Sequence, residues 1–535
     1  MILGIDFGTT NSMIAIAKGK KKPEVESYNL FSNSFLYTYD GIPSLVAIGP
    51  NDELYYGFDA LRIRDEEINK IDSEYDIISS LKTKIRNATD FKSAAVNDAK
   101  VVNAFSYSYK ELLEGFLKYL IDIATGKIEI PGFPINPKLL KEVGSNIEEV
   151  TITAPVGNPV TEFNGGSDGR SMSSTTYKEY LLGILTKVTG LPSEKVHVLE
   201  EPCAAAIAAR HSKDYDFLNK DIAIFDLGGG TLDVTVLKLN DKNQPVYTCK
   251  EGDSNLGGDK WDEALAKFAI AGTGVDLLMG VKIKAQKCKK QLTNQSNTQF
   301  MYQPAKRSLN PIYKVISRNE FYNASKDLLD RALKVLKKAL KDGNSVDCII
   351  LTGGSSNMPQ VQEAIRNMYP DKEVILYNAS TAIAEGAAID AFYRNKQDDS
   401  TFDEKVVPIN TITHSYGINT YVDKAHPNMI GNIFYRGQEI KLGEEKSFYS
   451  IRYPVDDSQV KVTFIVYENN SDNEHVPLEE GRQIDMATTY LIPPEYKNNA
   501  RQYEIKVTIS INYDGVIKCV ITDKDGIRKI LTDQL

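Results

Sequence analysis

The chain has 535 residues, too many for one hydrophobic core, which predicts three or four folding units. Its formal net charge of −9 argues against a nucleic-acid-binding surface, because phosphate backbones are bound by clustered Lys and Arg. The five cysteines are scattered without a C-x-x-C pair, which favours a reducing compartment and argues against a zinc site. The sequence also lacks a run of about 18 apolar residues, so it predicts no membrane helix. These features predict a cytoplasmic, multidomain protein that binds neither nucleic acid nor membrane.

Two segments of the chain, 2–16 and 222–236, share one pattern. Each has an apolar strand, an acidic residue, a Gly/Thr turn and a second apolar strand. Strand-like runs on both sides of a glycine-containing turn are typical of a hairpin. The sequence therefore predicts two equivalent hairpins in an internally duplicated chain.

Helical periodicity follows these hairpins, and strands that alternate with such helices indicate α/β lobes. The polar stretch from residue 395 to 400 predicts the start of a linker. After about residue 406, short strand-like runs separated by turn residues predict an all-β domain. The predicted helices are 109–124, 177–188, 259–269, 320–340 and 359–368, and the predicted strands include 448–453, 460–467, 503–511 and 516–521.

The two hairpin turns have the composition of a phosphate site. Glycines supply backbone N–H groups without side chains that would keep phosphates away. Asp6 and Asp226, at the ends of the leading strands, are suited to a hydrated Mg²⁺ that bridges two phosphates. One Asp-x-Gly-Thr turn is more often only a tight turn, but two copies between apolar strands favour nucleotide binding.

A third glycine turn, Gly353-Gly354-Ser355, leaves an apolar strand and precedes a helix that begins near Pro359. Its backbone N–H groups and the positive end of that helix suit a nucleoside or its first phosphate. The sequence has neither a Walker P-loop nor a Rossmann G-x-G-x-x-G between a strand and a helix. The nucleotide must therefore be held in another way.

The segments 4–12 and 224–234 resemble the two phosphate loops of the heat-shock-seventy (DnaK-like) chaperone family, within the actin and sugar-kinase fold superfamily. Residues 199–208 resemble the segment that joins its two lobes, with Cys203 where the family usually has Thr. The resemblance implies duplicated actin-like (ribonuclease H-like) α/β lobes over 1–395, a linker over 396–410 and a β-sandwich peptide-binding domain over 411–535.

The resemblance also implies the residues that act on ATP. Lys82 would lie beside the γ-phosphate and the attacking water, with a surface lysine as the alternative of equal weight. Mg²⁺ would be held largely through water, and K⁺ is a further candidate ion. The implied catalytic residues are Asp6, Lys82, Glu201, Asp226 and Thr231, and the implied metal-site residues are Asp6, Asp226 and Asp233.

ATP or ADP would be held by residues from all the glycine turns and one further segment. These are Gly8, Thr9, Thr10, Asn11, Gly228, Gly229, Gly230, Gly257, Gly258, Asp259, Gln286, Lys289, Lys290, Gly353, Gly354, Ser355 and Asn357. Gln286 stands where the family has Glu, and Asn357 replaces an arginine that flattens against the base. Because Asn lacks the guanidinium face, we expect weaker nucleotide affinity. The short segment 258–285 predicts a trimmed upper subdomain that exchange factors do not grip.

The C-terminal part resembles the family's peptide-binding domain, which holds an extended chain by backbone pairing and one apolar pocket. Ile418, Met429, Ile433 and Phe434 are the candidates for that pocket, with core packing as the alternative. The last strands come close to Leu535, so we expect no helical lid. Pro408 lacks an N–H and would stop the linker from pairing fully as an added strand.

The resemblance favours an ATP-dependent chaperone that binds unfolded or extended polypeptide and works with a J-domain-type co-chaperone. Two alternatives stay open. One is an ATP-binding regulatory or scaffold protein with little turnover, and the other is a small-molecule kinase of the same superfamily. Fold alone does not choose among them.

Overall fold

A computed structural model describes most of the chain. The described residues are 1–19, 22–27, 41–67, 73–87, 107–130, 137–155, 174–212, 214–241, 245–305, 309–341, 345–396, 409–412, 414–420, 425–426, 428–441, 444–452, 461–496, 498–500, 503–523, 526 and 528–530. Statements about the structure below concern these residues.

The first lobe is built on a mixed sheet with the strand order β3-β2-β1-β8-β9. Strand β1 is antiparallel to β2 and parallel to β8, which is in turn parallel to β9. The elements are β1 (Ile2–Asp6), β2 (Asn11–Lys18), β3 (Glu24–Ser27), β4 (Ile42–Pro43), β5 (Val46–Ile48), β6 (Leu54–Tyr56), α1 (Gly57–Glu67), β7 (Asp76–Ile78), α2 (Leu81–Asn87), α3 (Tyr109–Ala124), α4 (Pro137–Val143), β8 (Glu149–Ala154), α5 (Ser174–Thr189), β9 (Val196–Glu200) and α6 (Glu201–Arg210).

The second lobe repeats this topology, with the strand order β12-β11-β10-β15-β16. Strand β10 is antiparallel to β11 and parallel to β15. Both predicted hairpins and the predicted duplication are therefore confirmed. The elements are β10 (Ile222–Leu227), β11 (Leu232–Leu239), β12 (Pro245–Asp253), α7 (Gly258–Ile270), α8 (Met279–Asn294), β13 (Asn297–Tyr302), β14 (Ile312–Ser317), α9 (Arg318–Ala324), α10 (Lys326–Ala339), β15 (Cys348–Thr352), α11 (Pro359–Met368), β16 (Glu373–Leu376) and α12 (Ala382–Asn395).

The prediction of a single helix over 320–340 is wrong in one respect, because two helices, divided at Ser325, occupy this range. The Ser325 Oγ atom donates to the Phe321 carbonyl at 2.8 Å, and the backbone at Ser325 leaves the helical region, at φ −120° and ψ 14°. A serine that bonds locally to the backbone competes with the helical pattern. The first piece begins at a capping box between Ser317 and Glu320.

Helices α6 and α12 contact each other, and α12 also packs on β1, β2 and β8 of the first sheet. A Cβ atom on Gly386 would lie 1.7 Å from the Ala204 carbonyl oxygen, and one on Gly4 would lie 2.2 Å from the Ala388 nitrogen. Both glycines therefore allow backbones to approach more closely than any other residue would permit. This contact joins the lobe-connecting helix α6 to the last helix of the α/β part.

Two antiparallel sheets form a sandwich after residue 409, with the orders β23-β19-β18-β22-β24 and β21-β25-β26-β27. Tyr416, Phe464 and Ile509 are among the residues of both sheets that are buried in one core. The strands are β17 (Asn410–Thr411), β18 (Ser415–Thr420), β19 (Met429–Phe434), β20 (Glu439–Ile440), β21 (Glu445–Arg452), β22 (Lys461–Asn469), β23 (His475–Pro477), β24 (Arg482–Leu491), β25 (Ile505–Asn512), β26 (Ile517–Asp523) and β27 (Arg528–Ile530). The all-β prediction is confirmed, whereas the expected lack of a lid stays a prediction.

Among the described helices, none combines the length and the apolar composition that a membrane crossing requires.

Candidate nucleotide site

The turns of the two duplicated hairpins face each other across a cleft of about 620 Å³. A Cβ atom on Gly229 would lie 2.3 Å from the Thr10 Oγ1 atom, and one on Gly230 would lie 3.0 Å from the Thr9 Oγ1 atom. The second turn can approach the first this closely because it has no side chains there. The two glycine-containing turns therefore border one space.

Nearly all the residues predicted to act on ATP border this cleft. They are Asp6, Gly8, Thr9, Thr10, Asn11, Lys82, Glu201, Asp226, Gly228, Gly229, Gly230, Thr231, Gly258, Asp259, Gln286, Lys289, Lys290, Gly353, Gly354, Ser355 and Asn357. Gly257 and Asp233 do not border it. A Cβ atom on Gly257 would lie 2.4 Å from the Gly230 carbonyl carbon, and buried Asp233 is paired with Asp226 in the strand register.

Two carboxyl groups of the cleft, half-buried Asp6 and buried Asp226, are unfavourable as bare anions. Burial, and then the negative charge of Glu201, raises the pKa of Asp6 to about 7, while Lys82 and Thr153 oppose the rise. Burial also raises the pKa of Asp226 well above its ordinary range, and Glu201, Asp233 and Asp6 add to the effect. A cation near both groups would relieve this repulsion.

The arrangement fits a hydrated Mg²⁺. The Asp226 Oδ1 atom is buried and accepts no hydrogen bond from the part of the chain that the structure describes. Within the same residues, no group of three or more His, Cys, Asp or Glu side chains is close enough to hold a metal ion by itself. An ion here would therefore take most of its oxygen ligands from water and phosphate, as Mg²⁺ commonly does.

Lys82, on α2, forms an ion pair with Glu201, the first residue of α6. Both residues are only 5% exposed, so the alternative of a surface lysine is wrong. Each side chain borders the cleft. The pair places one ammonium and one carboxylate group beside Asp6, which can orient a water molecule and balance charge on a phosphate.

The opposite end of the cleft is lined by α8 and by the third glycine turn. Ser355 Oγ donates to the Gly228 carbonyl at 2.9 Å, which fastens the third turn to the second. Asn357 Nδ2 donates to the Gly354 carbonyl at 3.0 Å. Lys289 Nζ donates to the Gly258 carbonyl at 2.8 Å. All three contacts keep the turns in place around a nucleoside-sized space.

Sequence reasoning missed part of this wall. Helix α8 has buried apolar residues at helical spacing, Val281, Ala285, Cys288 and Leu292, which could have identified it. Sequence reasoning also missed the turn 378–381. In this turn Asn378 has a φ of 36°, and its carbonyl accepts a hydrogen bond from the Thr381 N–H. A polar Asn-Ala-Ser-Thr run before an apolar helix is a helix-start signal. The missed lining residues are Thr293, Asn294, Met358, Asn378, Ala379, Ser380, Thr381 and Ile383.

The β-domain contacts both lobes on another side of the α/β part. Ile409 pairs with Val246 on the edge strand β12, and its N–H donates to the Pro245 carbonyl at 2.8 Å. Residues 397–408, including Pro408, lie outside the described residues, so the prediction about their pairing stays open.

A buried group of charges lies at this contact. Glu200 accepts from Lys178 at 3.1 Å and from Lys250 at 2.5 Å. Lys178 also donates to the Asp514 carbonyl at 2.8 Å, and Lys250 donates to Asn410 Oδ1 at 3.2 Å. Burial alone would raise the pKa of Glu200, but the two ammonium groups hold it at about 2. Both lobes and the β-domain are thus joined through one ionised carboxylate.

The four peptide-pocket candidates differ in burial. Ile418 and Phe434 are 5% and 4% exposed and belong to the core. Met429 and Ile433 are partly exposed, because alternate residues of β19 point to opposite faces. Residues 421–424 and 453–460 lie outside the described residues. The pocket therefore stays a prediction.

The sequence is similar to known chaperones over most of its length. The family model described as Hsp70 protein matches residues 186–530, more than half of the chain. The chain is 26% identical to the "Chaperone protein DnaK" of Mycoplasmopsis synoviae, covering 98% of this chain and 77% of that protein. It is 27% identical to the DnaK of Mycoplasma mobile, covering 98% and 76%.

A "Chaperone protein HscA homolog" from Variovorax paradoxus is also 26% identical, with 96% of this chain and 75% of that protein covered. The matched region contains the second glycine hairpin, α8, the third glycine turn and the β-sandwich. With the duplicated sheets and the glycine-lined cleft between them, these matches show that the chain belongs to the Hsp70 family of ATP-dependent chaperones and is an ATPase.

Proposed function

We propose that this chain hydrolyses Mg²⁺-bound ATP in the cleft between its lobes and uses the cycle to control the binding of extended polypeptide by its β-domain. One observation carries the proposal. Asp6 and Asp226, from equivalent hairpins, border the same cleft, and burial together with neighbouring negative charge raises the pKa of both. A metal-bound triphosphate supplies the positive ion and the oxygen atoms that such a pair requires.

The residues of the cleft then have separable roles. Thr10 and Thr231 contact phosphate from opposite turns, and Lys82 with Glu201 orients the attacking water. Mg²⁺, when bound, would supply charge compensation for the phosphates, with Asp6 and Asp226 holding its water shell and Asp233, which does not border the cleft, adding negative charge beside Asp226. K⁺ is proposed as a second ion near the same carboxylates.

On the β-domain, Met429 and Ile433 are the pocket candidates that are partly exposed, and Ile433 also packs against the core. The domain boundaries 1–395, 396–410 and 411–535 and the J-domain-type co-chaperone belong to this proposal. If helices do not cover the site, a bound peptide should dissociate quickly, because fewer contacts must break before release. The cytoplasmic location likewise stays a prediction.

The test is ATP turnover by the full chain in Mg²⁺, with and without a permanently unfolded, alkylated protein. We expect the unfolded protein to stimulate phosphate release severalfold, and Asp226→Asn to abolish release under both conditions. Binding of ATP without turnover would replace the proposal by an ATP-binding scaffold. Transfer of the γ-phosphate to a metabolite would replace it by a small-molecule kinase.

A further inference from the structure

Asp262, on α7, lies behind the nucleoside end of the cleft and is only 4% exposed. Its Oδ1 atom is 2.8 Å from the Lys289 ammonium nitrogen. The two groups form an ion pair at this distance, although their angle does not meet that of a hydrogen bond. Its Oδ2 atom accepts from the Gln286 amide nitrogen at 3.3 Å. Gln286 and Lys289 both border the cleft, whereas Asp262 is not among the residues that border it.

These contacts decide which end of the Gln286 amide faces a ligand. An ionised carboxylate can only accept hydrogen bonds, so the Gln286 nitrogen must be the atom that faces Asp262. The amide oxygen is then the end presented to the cleft. Lys289 is similarly committed, because its ammonium also donates to the Gly258 carbonyl at 2.8 Å. The wall of the cleft therefore offers one hydrogen-bond acceptor, Gln286 Oε1, among side chains that mostly donate hydrogen bonds.

We propose that Asp262 is a positioning residue of the nucleoside subsite. It draws the Gln286 nitrogen and the Lys289 ammonium toward α7, so that Gln286 Oε1 accepts from a hydroxyl or amino donor of the nucleoside. Gln286 and Lys289 are three residues apart on one face of α8, which lets a single carboxylate hold both. The inference rests on the proposed binding of ATP in this cleft, and it identifies the residues that recognise the nucleoside part of ATP.

The test compares equilibrium binding of MgATP and of magnesium tripolyphosphate, which lacks the nucleoside, to the full chain. We expect Asp262→Asn to raise the Kd for MgATP about tenfold and to leave the Kd for tripolyphosphate within about twofold. The value of kcat at saturating ATP should stay within about twofold. Glu263→Gln, on the same helix with its Lys267 partner at the surface, is the matched control and should change neither Kd.

Exchanging the carboxylate and the amide between positions 262 and 286 distinguishes the loss of this contact from general damage to the fold. Asp262→Asn and Gln286→Glu should each weaken MgATP binding, because the first removes the carboxylate and the second sets two carboxylates against each other. The double variant exchanges the amide and the carboxylate and should recover the Kd to within about threefold of the original. Weaker binding of deoxy-ATP than of ATP would identify a ribose hydroxyl as the donor. Weaker binding of inosine triphosphate would identify the exocyclic amine of adenine.

Three results would overturn the inference: equal weakening of MgATP and tripolyphosphate by Asp262→Asn, additive losses in the double variant, or an unchanged MgATP Kd. In each of these cases binding of MgATP by the unaltered chain would still support the proposed function. If the unaltered chain bound neither ligand, the proposed function and this inference would fall together.

Discussion

At the scale of single residues, the part of the cleft around Lys82 holds three acidic side chains, Asp6, Glu201 and Asp226, and one basic one. After burial, the negative charge of Glu201 is the largest cause that raises the pKa of both Asp6 and Asp226, and Lys82 offsets only part of the rise at Asp6. Charges in a low-dielectric site interact strongly, so the remaining negative charge favours a divalent cation. The same residues that make the empty cleft unfavourable thus make Mg²⁺-bound nucleotide a good ligand.

Lys82→Ala should abolish most ATP hydrolysis while nucleotide still binds. Removal of one preorganised charge beside the phosphate should lower kcat by a factor of about 10²–10³. The other cleft residues keep their places, so the Kd for MgATP should change much less. Single-turnover phosphate release and equilibrium nucleotide binding measure the two effects separately.

Lys84→Ala is the control for that variant, because Lys84 lies on the same helix but does not border the cleft. It should leave turnover unchanged. Hydrolysis by Lys82→Ala at the normal rate would remove Lys82 from the mechanism and leave its pairing with Glu201 as a structural contact only.

At the scale of elements, the contact between α6 and α12 links the two halves of the α/β part. Helix α6 directly follows Glu200 at the end of β9, and its first residue is Glu201, which borders the cleft. Helix α12 packs on α6 and on the first sheet, and their close approach depends on Gly386. The junction of β9 and α6 therefore places a residue of the cleft, Glu201, next to a residue of the β-domain contact, Glu200.

Gly386→Ala should destabilise the α/β part strongly, although alanine is the better helix former. The added Cβ atom would lie 1.7 Å from the Ala204 carbonyl, and a backbone atom in a helix cannot rotate away. We expect a loss of about 3 kcal/mol, seen as a lower Tm in thermal unfolding followed by circular dichroism. An unchanged or higher Tm would show that α6 and α12 are less closely packed than described here.

At the scale of the whole molecule, the β-domain is fastened to the lobes by charges that are otherwise costly to bury. Lys178 and Lys250 come from different lobes and meet at Glu200. Arg394 adds an ion pair to Asp514 at 2.5 Å and lies over the Tyr513 ring. A buried charge left without its partner is strongly destabilising, so these contacts favour the arrangement in which all members are together.

Glu200→Gln should weaken this attachment, because two buried ammonium groups would lose the carboxylate between them. We expect trypsin to cut after Lys405 faster than in the unaltered chain, and the Tm to fall by an amount equivalent to about 3 kcal/mol. Glu373→Gln removes a carboxylate that pairs with Lys220 at the surface and should change neither measurement.

The same variant has a defined pH dependence. The pKa of Glu200 lies below its ordinary value of 4.5, at about 2, so the ionised form stabilises the folded chain above pH 4.5. This stabilisation is lost as the pH falls toward 2. The Tm difference between the unaltered chain and Glu200→Gln should therefore be full near pH 6 and shrink as the pH is lowered. A constant difference would contradict the assigned ionisation.

The amino-acid sequence by itself determined the local features of this protein. Acidic residues at strand ends before glycine turns predicted both hairpins, because turn chemistry and apolar runs are local properties. The helices 109–124 and 359–368 begin and end as predicted. The all-β character after residue 406 likewise followed from strand length and turn spacing.

Only the tertiary structure decided which distant residues meet. The pairing of Lys82 with Glu201, the role of Asp262 behind Gln286, and the meeting of Lys178 with Lys250 at Glu200 have no signature in spacing along the chain. The charge state of Glu200 depends on burial and on the two lysines that oppose its effect, and the packing of the whole molecule sets both. The sequence could name the chemistry of the cleft, but the balance of its charges came from packing.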